Sequence, residues 1–85
     1  QEDRALRFVY IIQSIDHPDQ YYSGLTADVE KRLQDHNSGK SKHTAKFKPW
    51  QLVSYHFFEN ENAALAFEKY LKSGSGRAFA KKRLR

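Results

Sequence analysis

Five consecutive residues, Phe8-Val9-Tyr10-Ile11-Ile12, constrain this chain more than any other feature. They are β-branched or aromatic, and no alternation turns one face to water, so they read as a strand covered on both sides. A doubly covered strand in 85 residues leaves room for one small sheet with helices around it, and for one domain. Asp16-His17-Pro18-Asp19 is a turn cluster, and Tyr21 to Leu25 reads as the returning strand of a hairpin.

The remaining elements follow from caps and apolar spacing. Thr26 is the expected N-cap of a helix over Ala27 to Asn37, with Val29 and Leu33 as its apolar stripe and Asn37-Ser38-Gly39 as its stop. Lys40 to Lys48 reads as a polar basic loop. Trp50 to Phe58 is a third strand, with Leu52 on the face opposite Val53, Tyr55 and Phe57. Asn60 caps a second helix from Glu61 to Ser73 that carries Ala64, Phe67 and Leu71 on one side, and Ser75 caps a last helix from Gly76 to Leu84. The order β-β-α-β-α-α argues an α+β fold with a small three-stranded antiparallel sheet flanked by helices. Residues 1–6 read as a flexible end, and Gln1 to Arg4 as a trimmed, added or processed terminus, since the chain contains no Met.

Without Cys the fold has no disulfide and no thiolate metal site, which fits a reducing compartment, and the four His residues lack zinc-ligand spacing. No apolar run approaches the ~20 residues that span a membrane, and no signal peptide is expected. One Trp, five Tyr and six Phe must supply much of the core.

Charge points outward to a polyanion. The net charge is +5, and after Glu68 come seven basic residues and no acid: Lys69, Lys72, Arg77, Lys81, Lys82, Arg83 and Arg85. Lys40, Lys42, Lys46 and Lys48 form a second acid-free basic segment. Phe47, Trp50 and Phe79 are interleaved with these cations, which favours nucleic acid over a merely solvated lysine face. Lys40, Lys42, Lys46, Lys48, Lys72, Arg77, Lys81 and Lys82 are therefore the candidate nucleic-acid contacts.

Four further groups carry possible chemistry. A hairpin that pairs Ser14 with Gln20 puts Tyr10 opposite Gly24 and Tyr22 opposite Ile12, so the two tyrosines share a face as diagonal neighbours. On spacing alone, two core tyrosines packing their rings is the better reading. Arg32 and His36, four apart, share a helix face; Arg suits phosphate oxygens and His suits proton transfer, although a solvated face has the same spacing. Glu68 is the last acid of the chain, beside apolar Phe67. A carboxylate there needs a partner, either a lysine or arginine or a divalent cation such as Mg²⁺ that keeps waters and substrate phosphate as its other ligands. Ser73-Gly74-Ser75-Gly76-Arg77 has free N–H groups for a phosphate, or is simple helix punctuation.

Taken together the residues resemble the GIY-YIG nuclease family, in its small stand-alone bacterial branch. Phe8-Val9-Tyr10 stands at the first half of the name motif and Tyr22-Ser23-Gly24 at the second, with eleven residues between the two tyrosines. Glu30-Lys31-Arg32-Leu33, His36-Asn37-Ser38-Gly39 and Tyr70-Leu71-Lys72-Ser73-Gly74 match that branch, and the likeness runs from about Phe8 to Leu84. Phe8 replaces the first Gly and Ser23 the second Ile. Larger members carry a late Asn, whereas this chain has none after Asn62 and Ala80 lies near the expected position.

The resemblance implies a cytoplasmic DNA endonuclease that hydrolyses phosphodiester bonds with one Mg²⁺ or Mn²⁺. Tyr10, aided by His36, would take the proton of the attacking water. Arg32 would hold the scissile phosphate, Tyr22 would position phosphate or water, and Glu68 would hold the metal. The competing readings are a non-catalytic nucleic-acid-binding module and an adaptor with a basic face for an acidic protein. Strand form is open among single-stranded, duplex and branched DNA, with residues 39–48 and 77–85 as the candidate determinants of substrate choice. Oligomeric state is not legible.

Overall fold

The computed structural model describes residues 5–85; the expected terminus over Gln1 to Arg4 lies outside the described residues. Three strands form one antiparallel sheet: β1 (Phe8–Ser14), β2 (Tyr21–Thr26) and β3 (Trp50–Phe57), in the order β2-β1-β3. The doubly apolar strand is therefore the central one. Val9, Tyr10, Ile11 and Ile12 are all buried, as a central strand between two helical layers requires.

Alternation along β1 builds two cores. Val9 and Ile11 point to one face, where they pack with Ala64, Leu71 and Ala80 from helices α3 (Glu61–Leu71) and α4 (Gly74–Arg83). Tyr10 and Ile12 point to the other, with Trp50 and with Val29 and Leu33 of helix α1 (Val29–Asn37). The result is three layers, α1 on one side of the sheet and α3 with α4 on the other. Burying one Val or Ile side chain contributes roughly 1.5–3 kcal/mol, so the four residues of β1 supply a large part of what holds a domain this small together.

The hairpin register is the expected one: Tyr10 pairs with Gly24 and Ile12 with Tyr22. Ser14 N–H donates to the Gln20 carbonyl at 3.0 Å. The irregularity lies in the other pairing, between Ile11 and Ile12 against β3, where Ile11 faces Ser54 and Ile12 faces Leu52. Val53 is the extra residue of a bulge, and it turns to the α3 side. The expected opposition of Leu52 to Tyr55 and Phe57 is corrected accordingly. The bulge shifts the parity, so Leu52 and Tyr55 line the α1 side together with Phe8, and Phe57 packs its ring 5.1 Å from that of Phe8.

Three boundaries also differ from the sequence reading. Asp28, not Thr26, caps α1 by accepting from Lys31 N–H at 3.1 Å, because Thr26 Oγ1 is already bonded to Asp28 N–H at 3.0 Å. Helix α3 stops at Leu71, two residues short of the expected Ser73. Ser73, not Ser75, caps α4: its Oγ accepts from Gly76 N–H at 3.1 Å and donates to the Tyr70 carbonyl at 2.6 Å. The Gly-rich turn is thus helix punctuation. Gly76 is required by packing, since a Cβ there would lie 1.7 Å from the Tyr70 carbonyl oxygen. Among the described residues, no helix is long and apolar enough to cross a membrane.

Candidate active site

Tyr10 is the centre of the candidate site. Its strand lies mid-sheet, and its side chain, 2% exposed, projects under α1. The Tyr10 hydroxyl lies 2.8 Å from His36 Nε2. His36 comes from the last turn of α1 and is itself fully buried. The space for the phenol is made by Gly24 on the paired strand, where a Cβ would stand 2.8 Å from Tyr10 Oη and 3.1 Å from its Cζ. The Gly of Tyr22-Ser23-Gly24 is therefore a clearance for the tyrosine of the first motif.

The second nitrogen of His36 is also held. Nδ1 lies 2.7 Å from Thr44 Oγ1, and the Thr44 hydroxyl is directed to the Ser41 carbonyl at 3.4 Å. In the tautomer in which Nδ1–H donates to Oγ1, Nε2 keeps a lone pair that accepts from the Tyr10 hydroxyl. Thr44 belongs to a short helix, α2 (Lys42–Ala45), inside the segment expected to be a loop. Four residues without an apolar stripe gave no periodic signal. The segment is anchored by Trp50, whose indole N–H donates to the Thr44 carbonyl at 2.9 Å, and by Asn37, which bonds the Trp50 backbone in both directions. Trp50 is 4% exposed, which removes it from the aromatic groups offered to a nucleic acid.

Burial sets the proton affinities of the pair. It pushes the Tyr10 phenol up to about 12, against the opposing pull of the Arg32 guanidinium, with Tyr22 and Glu68 adding to the rise. Burial also lowers the His36 imidazole below the ordinary 6.5, and the nearby Arg32 charge lowers it further. At neutral pH the pair is a neutral phenol donating to a neutral imidazole.

The other expected residues surround this pair. Tyr22 is half-buried, with its ring centroid 6.4 Å from that of Tyr10 and 5.1 Å from that of His36. Arg32 is tethered by Asp35 at 3.8 Å, longer than a charge-assisted hydrogen bond, so its planar fork is not spent on that contact. Glu68 lies on α3. Its side chain is 15% exposed and pairs with Lys72 Nζ at 3.3 Å. The plainer of its two expected partners is therefore present. Lys72 Nζ also donates to the Ser23 carbonyl at 3.1 Å and lies 5.0 Å from the Tyr22 ring centroid.

All five residues singled out for chemistry thus converge on one corner of the sheet. Thr44, Gly24 and Ser23 also meet there, and sequence reasoning missed their roles. The remaining cations divide into two exposed flanks. Lys40, Lys42, Lys46 and Lys48 lie beside α1 and α2, with Lys40 spent in part on Asp35 at 3.5 Å. Arg77, Lys81 and Lys82 lie on α4. Arg77 and Lys72 line a groove of about 420 Å³ along β2 with Tyr21, Tyr22 and Ser23. Arg85 stacks on Tyr21 at 3.9 Å. Ala80, near the position of the late Asn in larger enzymes, is buried in the core against β1.

Glu68 is the residue suited to a metal. Among the described residues, no three His, Asp or Glu side chains cluster. One carboxylate fits an ion that keeps waters and phosphate as its remaining ligands. The Lys72 ammonium between Glu68 and the Ser23 carbonyl shows that a cation is accommodated at this carboxylate.

The model of the GIY-YIG catalytic domain matches residues 7–83. A UPF0213 protein of Haloquadratum walsbyi is 40% identical over 67 residues, covering 78% of this chain and 73% of that protein. One from Lactococcus lactis subsp. cremoris is 41% identical over 66 residues, covering 76% and 65%. One from Clostridium perfringens is 38% identical over 68 residues, covering 79% and 71%. The match to the Lactococcus lactis protein spans less than two thirds of that relative's length. The chain belongs to the GIY-YIG catalytic-domain family. That family is one of nucleases.

Proposed function

We propose that this chain is a divalent-metal-dependent DNA endonuclease that hydrolyses phosphodiester bonds with a single metal ion. The observation that carries the reading is the Tyr10 hydroxyl. His36 bonds to it, and the charges of Arg32 and Glu68 and the Tyr22 phenol all act on it. A structural tyrosine needs one hydrogen-bond partner and gains nothing from an arginine, a carboxylate and a second phenol near enough to act on it.

In this reading a phenol held near 12 is a poor base by itself at neutral pH. The direct contact with a neutral imidazole removes that difficulty. As Tyr10 Oη takes a proton from the attacking water, its own proton passes to His36 Nε2. Thr44 keeps the imidazole in the tautomer that can receive it. Tyr22 positions phosphate or water; among the described residues its hydroxyl has no hydrogen-bond partner, so it is open to one. Arg32 grips the scissile phosphate through its fork and offsets the charge that builds on the phosphoryl oxygens. Glu68 is the residue that would hold Mg²⁺ or Mn²⁺, and such an ion, when bound, supplies stabilisation of the leaving oxygen.

Lys42, Lys46 and Lys48 on one flank and Arg77, Lys81 and Lys82 on the other carry the DNA backbone past the site. The groove along β2 has Tyr21 and Tyr22 beside its cations, which favours single-stranded or locally opened DNA over a continuous duplex. Cleavage of end-labelled single-stranded, branched and duplex DNA in Mg²⁺, in Mn²⁺ and in chelator tests the proposal. Metal-dependent cutting, strongest on the unpaired strands, is the expected result. DNA binding with no cutting under any condition would instead make the chain a binding module.

A further inference from the structure

Lys72 is four residues after Glu68, the spacing of an ordinary helix-surface ion pair. Its environment is not ordinary. Lys31 and Asp35 have the same spacing on α1 and meet at only 3.9 Å. Lys72 Nζ closes to 3.3 Å on Glu68 Oε2, donates to the Ser23 carbonyl at 3.1 Å, and lies 5.0 Å from the Tyr22 ring. A carboxylate, a main-chain carbonyl and an aromatic ring are the groups that receive a cation. Glu68 has little surface left for a second one, since its side chain is only 15% exposed.

We infer that the Lys72 ammonium is a built-in occupant of the cation position at Glu68, so that Lys72 and a divalent metal exclude one another there. The inference rests on the metal role given above to Glu68. Two positive charges on one carboxylate oxygen, a few ångströms apart in a partly buried site, repel strongly. The metal binds only as Lys72 swings away, and the groove beside it shows where it goes. Lys72 lines that groove with Arg77, and a lysine on its flexible four-carbon stem is an effective phosphate ligand. DNA in the groove draws the ammonium off Glu68 and opens the carboxylate to the ion. Substrate and metal therefore bind with positive coupling, and the site does not take up metal fully until DNA arrives.

The test is Mn²⁺ binding to the full chain without DNA, followed by the electron paramagnetic resonance signal of the free ion. It compares the unaltered protein, Lys72→Met, Lys72→Arg and Glu68→Gln, with thermal melts to establish that each is folded. Lys72→Met should bind Mn²⁺ about tenfold more tightly. Lys72→Arg, which keeps a cation, should stay near the unaltered affinity, and Glu68→Gln should abolish the specific binding. Short single-stranded DNA should tighten Mn²⁺ binding to the unaltered chain and do so far less in Lys72→Met. Equal Mn²⁺ affinity with and without the lysine, still lost in Glu68→Gln, would overturn the role of Lys72 and leave Glu68 as the metal ligand. Binding that Glu68→Gln leaves unchanged would overturn both.

Discussion

Tyr10 Oη and His36 Nε2 lie 2.8 Å apart although they are 26 residues apart in the chain. One sits mid-strand and the other in the last turn of α1. The contact unites two halves of the proposed catalytic pair, which neither element could provide alone. Tyr10→Phe keeps the ring and its packing and removes only the oxygen. Cleavage should fall by about 10²–10⁴-fold while DNA affinity holds, as a gel-shift titration run beside the cleavage assay would show. Parallel losses of binding and cleavage would make the phenol structural.

Protonation of His36 would block the proposed relay. Burial holds its pKa below 6.5, so kcat/KM should be flat through neutral pH and decline only below that value. His36→Asn should remove the decline along with most of the rate. Stability follows the same sign. In the unfolded chain His36 and His56 titrate near 6.5, and in the fold burial lowers both. Below 6.5 the unfolded state therefore takes up protons first, and stability drops as pH falls from there toward the folded values. Melting temperatures measured between pH 7.5 and 5 should show that fall, and it should be smaller in His36→Asn.

Thr44 is a positioning residue that acts through His36. Thr44→Val is close in shape but leaves the buried Nδ1–H without an acceptor, at a cost of about 1–3 kcal/mol. It also frees the ring to hold its proton on Nε2, where it cannot accept from Tyr10. Denaturant melts and a cleavage pH profile should both change. Thr44→Ser should restore both, and a Thr44→Val protein with the parent profile would exclude a role in the tautomer.

Two glycines should respond differently to Ala. At Gly24 the added methyl meets the end of the Tyr10 side chain at 2.8 Å, and the buried phenol must shift a few tenths of an ångström off His36. The fold should survive at an overpacking cost of about 1–3 kcal/mol, with cleavage impaired much more than stability. At Gly76 the methyl meets the Tyr70 carbonyl oxygen at 1.7 Å, and backbone has nowhere to go. Gly76→Ala should fail to fold, so soluble yield and circular dichroism would separate the two.

Much of this was legible in the sequence because it depends on local rules. The five-residue apolar run placed β1 at the centre, and the turn cluster fixed a register that puts Tyr10 and Tyr22 on one face. Arg32 and His36 follow from helical spacing. What was hidden depends on tertiary contacts. Nothing local marks Thr44, because its role is to accept from a histidine eight residues away whose other nitrogen faces another element. The bulge at Val53 is invisible to an alternating pattern, and it reverses the face assigned to Leu52. Trp50 looked like a stacking group beside lysines, yet its indole pins α2 from inside. The pairing of Glu68 with Lys72 could be read from the i,i+4 spacing, but the Ser23 carbonyl that completes the cation's surroundings could not.

The most direct measurement is cleavage and binding by Glu68→Gln side by side, in Mg²⁺, on the same labelled strand. The substitution keeps the shape of the side chain and removes its charge. The account predicts that cutting is lost while the DNA still binds. Cutting at the unaltered rate by Glu68→Gln would contradict it, because Asp35, the other carboxylate near Arg32, is already shared among Lys31, Arg32 and Lys40.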